Sequence, residues 1–476
     1  SPAKSIKHVD KYVRYCSEFS PTYVEFKNPI QRTIDAITGD VKSKFLNRNT
    51  KSLHPEHADV VIIGGGYLGS SGAYWLKTRA GEGLNVVVLE KQIDVKTFFQ
   101  QKYISKNWST GILSQHYSLP ENILLSQFSA DFFRNIKQKI NKDINIKFHP
   151  HGYIVLASDN YAEKLEKNVT ILKEFGIKNE LLSVEQLRKN YPWINTSDVK
   201  LGCISTENEG VFDSHALLQG LVQKSQELGA IYVHGEVIGF DSEYQRDVLM
   251  EGVRPMSLQK IQRIIYRTED GVEHSIKFAI CVLAAGTEST NIAKLASIGN
   301  KDGLLQLPLP VDKKESNVYS VECDTSNPRP GLSAPIVMDT SGLWLRRNGL
   351  QNNLLCGQIP LKSDKPLTPD ENFELLFKPS LENRFPQFAN SKIKKWDTEV
   401  YDCNNFDDSG IIGAHPYHTN LIFATGFGRL GVQHAPGIGK AISDLVIESQ
   451  YTGVDLTRMG FDRILINEPL VDFNIY

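Results

Sequence analysis

The chain has few cysteines, no long apolar run and no excess of charge of either sign. Its six cysteines (Cys16, Cys203, Cys281, Cys323, Cys356 and Cys403) are scattered over 476 residues with no C-x-x-C pair. That spacing argues against a zinc site or a redox dithiol, and fits a reducing compartment in which the thiols are small buried hydrophobes. Apolar windows such as Ala279–Ala285 fall far short of the roughly twenty residues that span a bilayer. No transmembrane segment is expected, and any membrane association would be peripheral. The 53 Lys and Arg face 55 Asp and Glu, a net charge of −2, so nucleic acid is not expected as a partner. The 12 histidines show no metal spacing and no paired acid–base motif, and no metal is expected. With 41% hydrophobic and 23% charged residues and no internal repeat, the composition is that of a globular protein of one large or a few domains. The start at Ser1 rather than methionine leaves two readings open, a removed import presequence or a truncated chain.

What is present is concentrated between Ala58 and Glu90. The run Val60–Ile63 reads as a buried parallel strand, and Gly64, Gly66 and Gly69 fill the G-x-G-x-x-G positions behind it. The first glycine permits the tight turn. The second lets a pyrophosphate approach the backbone, and the third lets helix and strand pack closely. N–H groups at the start of the next helix face the phosphates. A second apolar strand, Val86–Leu89, ends at Glu90, whose carboxylate can accept hydrogen bonds from ribose hydroxyls. The pattern predicts a βαβ unit that holds an ADP-ribose group.

Residues 1–57 carry an excess of Lys and Arg with aromatic residues Tyr12, Tyr15, Phe19, Tyr23 and Phe26, which suits an arm lying along a partner surface. Residues 95–108 read as a polar loop. Helices are expected over Glu121–Ile140, Tyr161–Phe175, Ser183–Arg188 and Leu217–Leu228, the last capped by Asp213 or Ser214. Strands are expected at Phe148–Ala157, Ala230–Val233 and Glu236–Phe240, with a meander running to about Ala279. Phe278–Ala285 then runs as a buried strand into a turn at Gly286. Residues 305–400 read as short strands broken by proline. Asn420–Thr425 is a strand, Gly426–Gly431 a turn and Ala435–Gln450 a helix. Strand, glycine turn and helix thus recur at both ends, which predicts one nucleotide lobe built from separated segments with another lobe inserted. An NAD-dependent dehydrogenase would instead keep its nucleotide domain contiguous.

The opening fingerprint, the A-A-G turn and the G-F-x-x-x-G turn resemble the D-amino acid oxidase/sarcosine oxidase superfamily. Ser109–Ile123 (STGILSQHYSLPENI), Lys189–Thr196, Val211–Leu221, Tyr401–Pro416 (YDCNNFDDSGIIGAHP) and Ala435–Ile442 narrow the resemblance to the mitochondrial FAD-dependent oxidoreductase domain-containing protein 1 family. The resemblance implies an α/β fold: an FAD-binding Rossmann-like domain of glutathione reductase/D-amino acid oxidase type, assembled from segments, with an inserted mixed-sheet substrate-type domain. It places residues 58–116, 205–300 and 401–452 in the FAD domain, and 117–204 and 301–400 in the substrate-type domain. Residues 453–476 are left as a tail. It implies FAD held non-covalently, a matrix-side position at the mitochondrial inner membrane, and respiratory complex I subunits or assembly intermediates as partners. The role expected from it is complex I assembly or stabilisation, the alternative an FAD-dependent dehydrogenase or oxidase of an amine or amino acid. Carried over by position, Gly64, Gly66, Gly69 and Glu90 meet pyrophosphate and ribose. Val237 meets adenine, Ala285 and Gly286 form the return turn, and Gly426, Phe427 and Gly431 form the flavin-side turn.

Several positions depart from the superfamily. Arg429 stands in the last turn where relatives have small residues, and Gln433 replaces the lysine with which sarcosine oxidases grip a carboxylate. Glu399 replaces a glycine, and Val400 replaces the cysteine that carries covalent flavin. Phe98, Phe99, Tyr103 and Trp108 are bulky for a loop that wraps the cofactor. His116 and His434 lie near flavin-side segments, and no catalytic residue is assigned.

Overall fold

The first strand, β1 (His57–Ile63), buries both faces. Val61 and Ile63 enter one apolar cluster, Val60 and Ile62 the opposite one. Continuous burial of this kind marks the interior of a parallel sheet. β1 lies between β2 (Val86–Glu90) and β11 (Glu273–Leu283), both parallel to it. The sheet continues with β8 (Ile231–His234) beyond β2, and with β18 (Leu421–Thr425) and then β17 (Ile411–Ala414) beyond β11. β9 (Glu236–Tyr244) and β10 (Gln259–Arg267) complete the antiparallel meander onto β11. The order β17-β18-β11-β1-β2-β8 therefore gathers strands from both ends of the chain into one sheet. The coordinates are a computed structural model that describes residues 54–92, 109–250, 253, 256–322, 328–349, 353–359, 368–389 and 391–472. The arm before residue 54 and the loop bearing Phe98, Phe99, Tyr103 and Trp108 lie outside the described residues.

Two helices cover one face of this sheet: α1 (Tyr67–Ala80) and a late helix, Leu430–Glu448. They approach closely because a Cβ on Gly439 would lie 2.2 Å from Ser71 Oγ. The late helix starts five residues before the expected Ala435, and Pro436 sits inside it. Proline ordinarily marks a helix boundary, which displaced the sequence reading. The expected helix Glu121–Ile140 is likewise divided: α2 (Pro120–Arg134) ends at Asn135 and only a short turn, Ile136–Lys139, follows.

The second sheet has the order β16-β12-β15-β14-β13-β4-β6-β5. Its strands are β4 (Tyr153–Ala157), β5 (Asn179–Leu182), β6 (Leu201–Ser205), β12 (Val311–Glu322), β13 (Ile336–Met338), β14 (Leu343–Arg347), β15 (Asn353–Gln358) and β16 (Ile393–Asn404). A small ribbon, β3 (Ile112–Leu113) with β7 (Gly210–Val211), completes the strands. The sequence predicts short strands broken by proline over residues 305–400; β12 and β16, which runs on to Asn404, are 12 residues each. α3 (Asp159–Glu174) and α4 (Ser214–Glu227) match their expected positions, with Asp213 accepting from Ala216 N (3.1 Å) as the cap of α4. β16 runs out of the second sheet toward the Gly426 turn, where Cys403 bridges to Phe427. The segment read as a tail contributes Leu456, Met459 and Phe461, each fully buried, to the core.

Burial also sets an acid limit on the fold. His415 Nδ1 accepts from the N–H groups of Tyr417 and His418, and the His418 ring meets the Ala296 carbonyl (2.9 Å). Burial holds His415 at about 3, His418 at about 4 and His434 at about 3. All three are neutral in the fold, while the unfolded chain takes up protons from about pH 6.5 downward. Their stabilisation is complete above that pH and is lost as pH falls toward 4, at about 1.4 kcal/mol per pH unit for each histidine. Asp402, raised by burial to about 6, opposes the trend as a single group. The urea midpoint is expected to fall steeply between pH 7 and pH 5; a flat profile would refute the neutral burial of these rings.

Candidate functional site

The glycine turn after β1 shows three different reasons for glycine. Gly64 has φ +102°, and a Cβ on it would lie 2.3 Å from the Ala284 carbonyl oxygen. At Gly69 the Cβ would lie 1.9 Å from the Gly64 carbonyl oxygen, so β1 and α1 meet there backbone to backbone. Gly66 is the opposite case, because nothing stands within 4 Å of its Cβ position. That open side faces a cavity of about 580 Å³. Gly66 caps α1 without any side-chain hydrogen bond, and the first turn holds no acid. The helix start is therefore an electropositive end without a side-chain cap, suited to an anion. Glu90, at the end of β2, has its carboxylate fixed by the N–H groups of Gly65 and Gln92, both at 2.7 Å.

Of the residues carried over by resemblance, Gly64, Gly66, Glu90, Val237, Ala285, Gly286 and Gly431 line this one cavity. Gly69, Gly426 and Phe427 stand behind its wall. Gly426 has φ +73° and donates its N–H to the Asp402 carboxylate (2.5 Å). Phe427 is buried against Gly410, where a Cβ would lie 2.2 Å from its ring. These three shape the turns and do not face the space.

The far part of the cavity is polar. Glu399, Val400, Tyr401 and Asp402 of β16 line it together with Gly428 and Arg429. Glu399 is buried, accepts the N–H of Thr110 (3.2 Å) through Oε1, and has Oε2 3.4 Å from Arg429 Nε. The Arg429 guanidinium also lies over the Tyr401 ring at 5.2 Å. Asp402 is raised to about 6 by burial, against the hydrogen bonds it accepts from Gly426 N and Thr425 Oγ1. Arg346, on β14, is lowered by burial to about 10, with the charge of Glu399 opposing the shift.

Other candidates have structural partners. Gln433 is buried: its Oε1 accepts from Ser114 N (2.9 Å) and its Nε2 donates to the Tyr117 hydroxyl. It ties the Ser109–Tyr117 loop to the late helix. His116 is buried with Nε2 3.4 Å from Glu209 Oε2, and His434 is fully buried beside Tyr117. Cys403 meets Asp408 (3.2 Å) and does not line the cavity. Arg346, Tyr401, Asp402 and Glu209 were not singled out from sequence. Asp402 and Tyr401 fall inside the quoted segment Tyr401–Pro416, which was the available signal; Arg346 and Glu209 had none. Among the described residues no group of three or more His, Cys, Asp or Glu is placed to hold a metal ion.

The family described as DAO, FAD dependent oxidoreductase, matches residues 59–445. The chain is 37% identical to the FAD-dependent oxidoreductase domain-containing protein 1 homolog of Drosophila melanogaster over 422 residues, covering 88% of this chain and 81% of that protein. With FAD-dependent oxidoreductase domain-containing protein 1 of Bos taurus the identity is 38% over 435 residues, 88% of this chain and 87% of that one. The chain belongs to this family. Among solved structures, L-proline dehydrogenase from P. horikoshii superposes with a TM-score of 0.67 at 20% identity, over 88% of this chain and 100% of that one. Glycine oxidase from Geobacillus kaustophilus gives 0.63 at 18% identity, over 85% and 98%. These two share the fold. FAD is the cofactor of this fold family, and the site fits it. Gly66 leaves room where a pyrophosphate approaches, the α1 end faces it, and Glu90 stands at the ribose position of the fingerprint. Val400 at the cavity wall cannot form a thioether, and no cysteine lines the space among the described residues, in keeping with non-covalent FAD.

Proposed function

We propose that this protein is an FAD-dependent dehydrogenase or oxidase that acts on the carbon beside the nitrogen of an amine or amino acid. One observation carries the reading: the cavity that starts at the phosphate-facing turn continues into a second, charged end bounded by Glu399, Asp402 and Arg429. When bound, FAD would supply the two-electron oxidation by which an amine loses a hydride from that carbon and a proton from its nitrogen and leaves as an imine. The chain's part is to bind, to orient and to keep the site poor in water. The uncapped start of α1 and the fixed Glu90 hold the ADP end. The first turn of the late helix, with Gly431 and Val432 on the cavity wall and no acid among its residues, presents a second electropositive end beside β16. Likeness to proteins named L-proline dehydrogenase, glycine oxidase and monomeric sarcosine oxidase supports a nitrogen-bearing substrate. A dye-linked assay with a panel of N-methyl and free amino acids and simple amines tests the reading. Dye reduction that depends on substrate and on added FAD is expected; no turnover with any member of the panel, by flavin-loaded protein, would defeat it.

The resemblance carries a separate proposal, a partnership with respiratory complex I subunits or assembly intermediates at the matrix side of the mitochondrial inner membrane. No helix among the described residues is long and apolar enough to cross a membrane. Co-purification of complex I subunits with the full chain, lost on deleting residues 1–57, is the expected result for that partnership.

A further inference from the structure

The charged end of the cavity holds buried polar atoms that are not satisfied within the protein. One guanidinium, Arg429, lines it beside two carboxyl groups, Glu399 and Asp402. Asp402 spends its Oδ2 on Gly426 N and Thr425 Oγ1, inside the wall. Arg346, outside the cavity lining, donates from Nη1 to the Arg347 carbonyl (2.8 Å) and also leaves its buried Nε without a partner. Glu399 Oε2 and the Nε and Nη2 of Arg429 are buried and have no hydrogen-bond partner, and these two residues do line the cavity. Their 3.4 Å approach is an ion pair without a hydrogen bond. Buried polar groups in folded proteins are otherwise almost always partnered. An acceptor oxygen beside two donor nitrogens calls for a ligand with a donor beside an acceptor.

We propose that Glu399 is a specificity-determining residue: its Oε2 takes the cationic nitrogen of the substrate while Arg429 takes an anionic group on the same molecule. The site thereby selects a net-neutral zwitterion over an anion or a cation of the same shape. A lone carboxylate could reach Arg429 only by competing with Glu399, and a lone ammonium could reach Glu399 only by competing with Arg429. In either case one internal charge is left buried without its partner, which is costly. The zwitterion replaces both halves of the internal pair at once. This inference rests on the oxidoreductase reading for what the ligand is, but not for how its charges are recognised.

Three probes of nearly equal shape separate these cases: 2-aminoisobutyrate (zwitterion), pivalate (anion) and tert-butylamine (cation). None carries a hydrogen on its central carbon, so none is oxidised. Binding to the flavin-loaded full chain is read by perturbation of the visible flavin spectrum, and to the flavin-free chain by thermal shift. The unaltered protein is expected to bind 2-aminoisobutyrate at least about tenfold more tightly than either other probe. Glu399→Gln is expected to move the preference to pivalate, Arg429→Gln to tert-butylamine, and Glu399→Asp to keep the zwitterion first. Equal affinity for pivalate and 2-aminoisobutyrate in the unaltered protein, or no binding of any probe, overturns the inference even if a variant fails to fold. So does a Glu399→Gln protein with an unchanged ratio. A chain that shows the expected ratios by thermal shift but never takes up flavin would instead sink the oxidoreductase reading.

Discussion

Gly66→Ala is expected to abolish flavin retention while leaving the fold as stable as its parent, and Gly69→Ala is expected to damage the fold itself. The contrast follows from where each methyl would go. Gly66 has φ −72° and ψ −163°, a backbone that alanine adopts, and its Cβ meets nothing within 4 Å. The methyl would occupy the cavity side of the turn, where the fingerprint brings the pyrophosphate to the backbone. Roughly a hundredfold loss of FAD affinity, about 2.7 kcal/mol, is expected. At Gly69 the methyl would lie 1.9 Å from the Gly64 carbonyl oxygen, a backbone atom pinned by the bond from Gly64 N to Leu89 O (2.8 Å). α1 must then move away from β1, at a cost of about 1–3 kcal/mol or more even without cofactor. Melting of the flavin-free proteins separates the two: Gly66→Ala should match the parent, and Gly69→Ala should melt lower. Equal flavin content in Gly66→Ala and parent protein would remove the turn from the cofactor site.

Arg463→Met is expected to lower stability by about 3–5 kcal/mol, the cost of leaving a buried charge without its partner. Arg463 meets Asp407 through Nε (2.7 Å) and Nη2 (3.0 Å), and both side chains are buried. The guanidinium also donates to the carbonyls of Met459 (2.7 Å), Gly460 (3.0 Å), Ser409 (3.0 Å) and Gly410 (3.1 Å). Asp407 in turn accepts from Asn404 Nδ2 (2.7 Å) and Leu470 N (2.9 Å). One ion pair thus fastens the last described residues to the bend between β16 and β17. Urea unfolding is the measurement, and the midpoint should fall while the slope stays the same. Arg463→Lys keeps the charge but loses the forked geometry, and should fall between the two. A loss below about 1 kcal/mol in Arg463→Met would show that the bend is held by packing alone.

The nucleotide lobe could be read from the sequence because its determinants are local. Val60–Ile63 and Val86–Leu89 are apolar without interruption, and the three glycines and Glu90 keep a fixed spacing along one βαβ unit. The second lobe was less legible. β16 is the edge strand of its sheet and β12 its neighbour, and they carry runs such as Asp312–Glu315 and Lys394–Asp397. Charges on an edge strand block pairing with other chains and hide the alternation that marks a strand. The charged end of the cavity was legible only in part, and not as a cluster. Glu399 and Arg429 stood out as departures from the superfamily, yet nothing along the chain shows that the two side chains meet, 3.4 Å apart. Glu399 comes from β16 of the second sheet, Arg429 from the turn after β18 of the first. Such proximity is a property of how the two sheets meet and has no signature in sequence spacing.

The most direct test of the account is the anaerobic visible spectrum of the purified full chain before and after addition of amino acids and amines. An oxidised flavin spectrum that bleaches with at least one nitrogen-bearing substrate is expected, in a protein whose Gly66→Ala variant shows no flavin. Flavin that dithionite bleaches but that every member of the panel leaves oxidised would contradict it, and would mark the cofactor as a folding element in a site that no longer turns over.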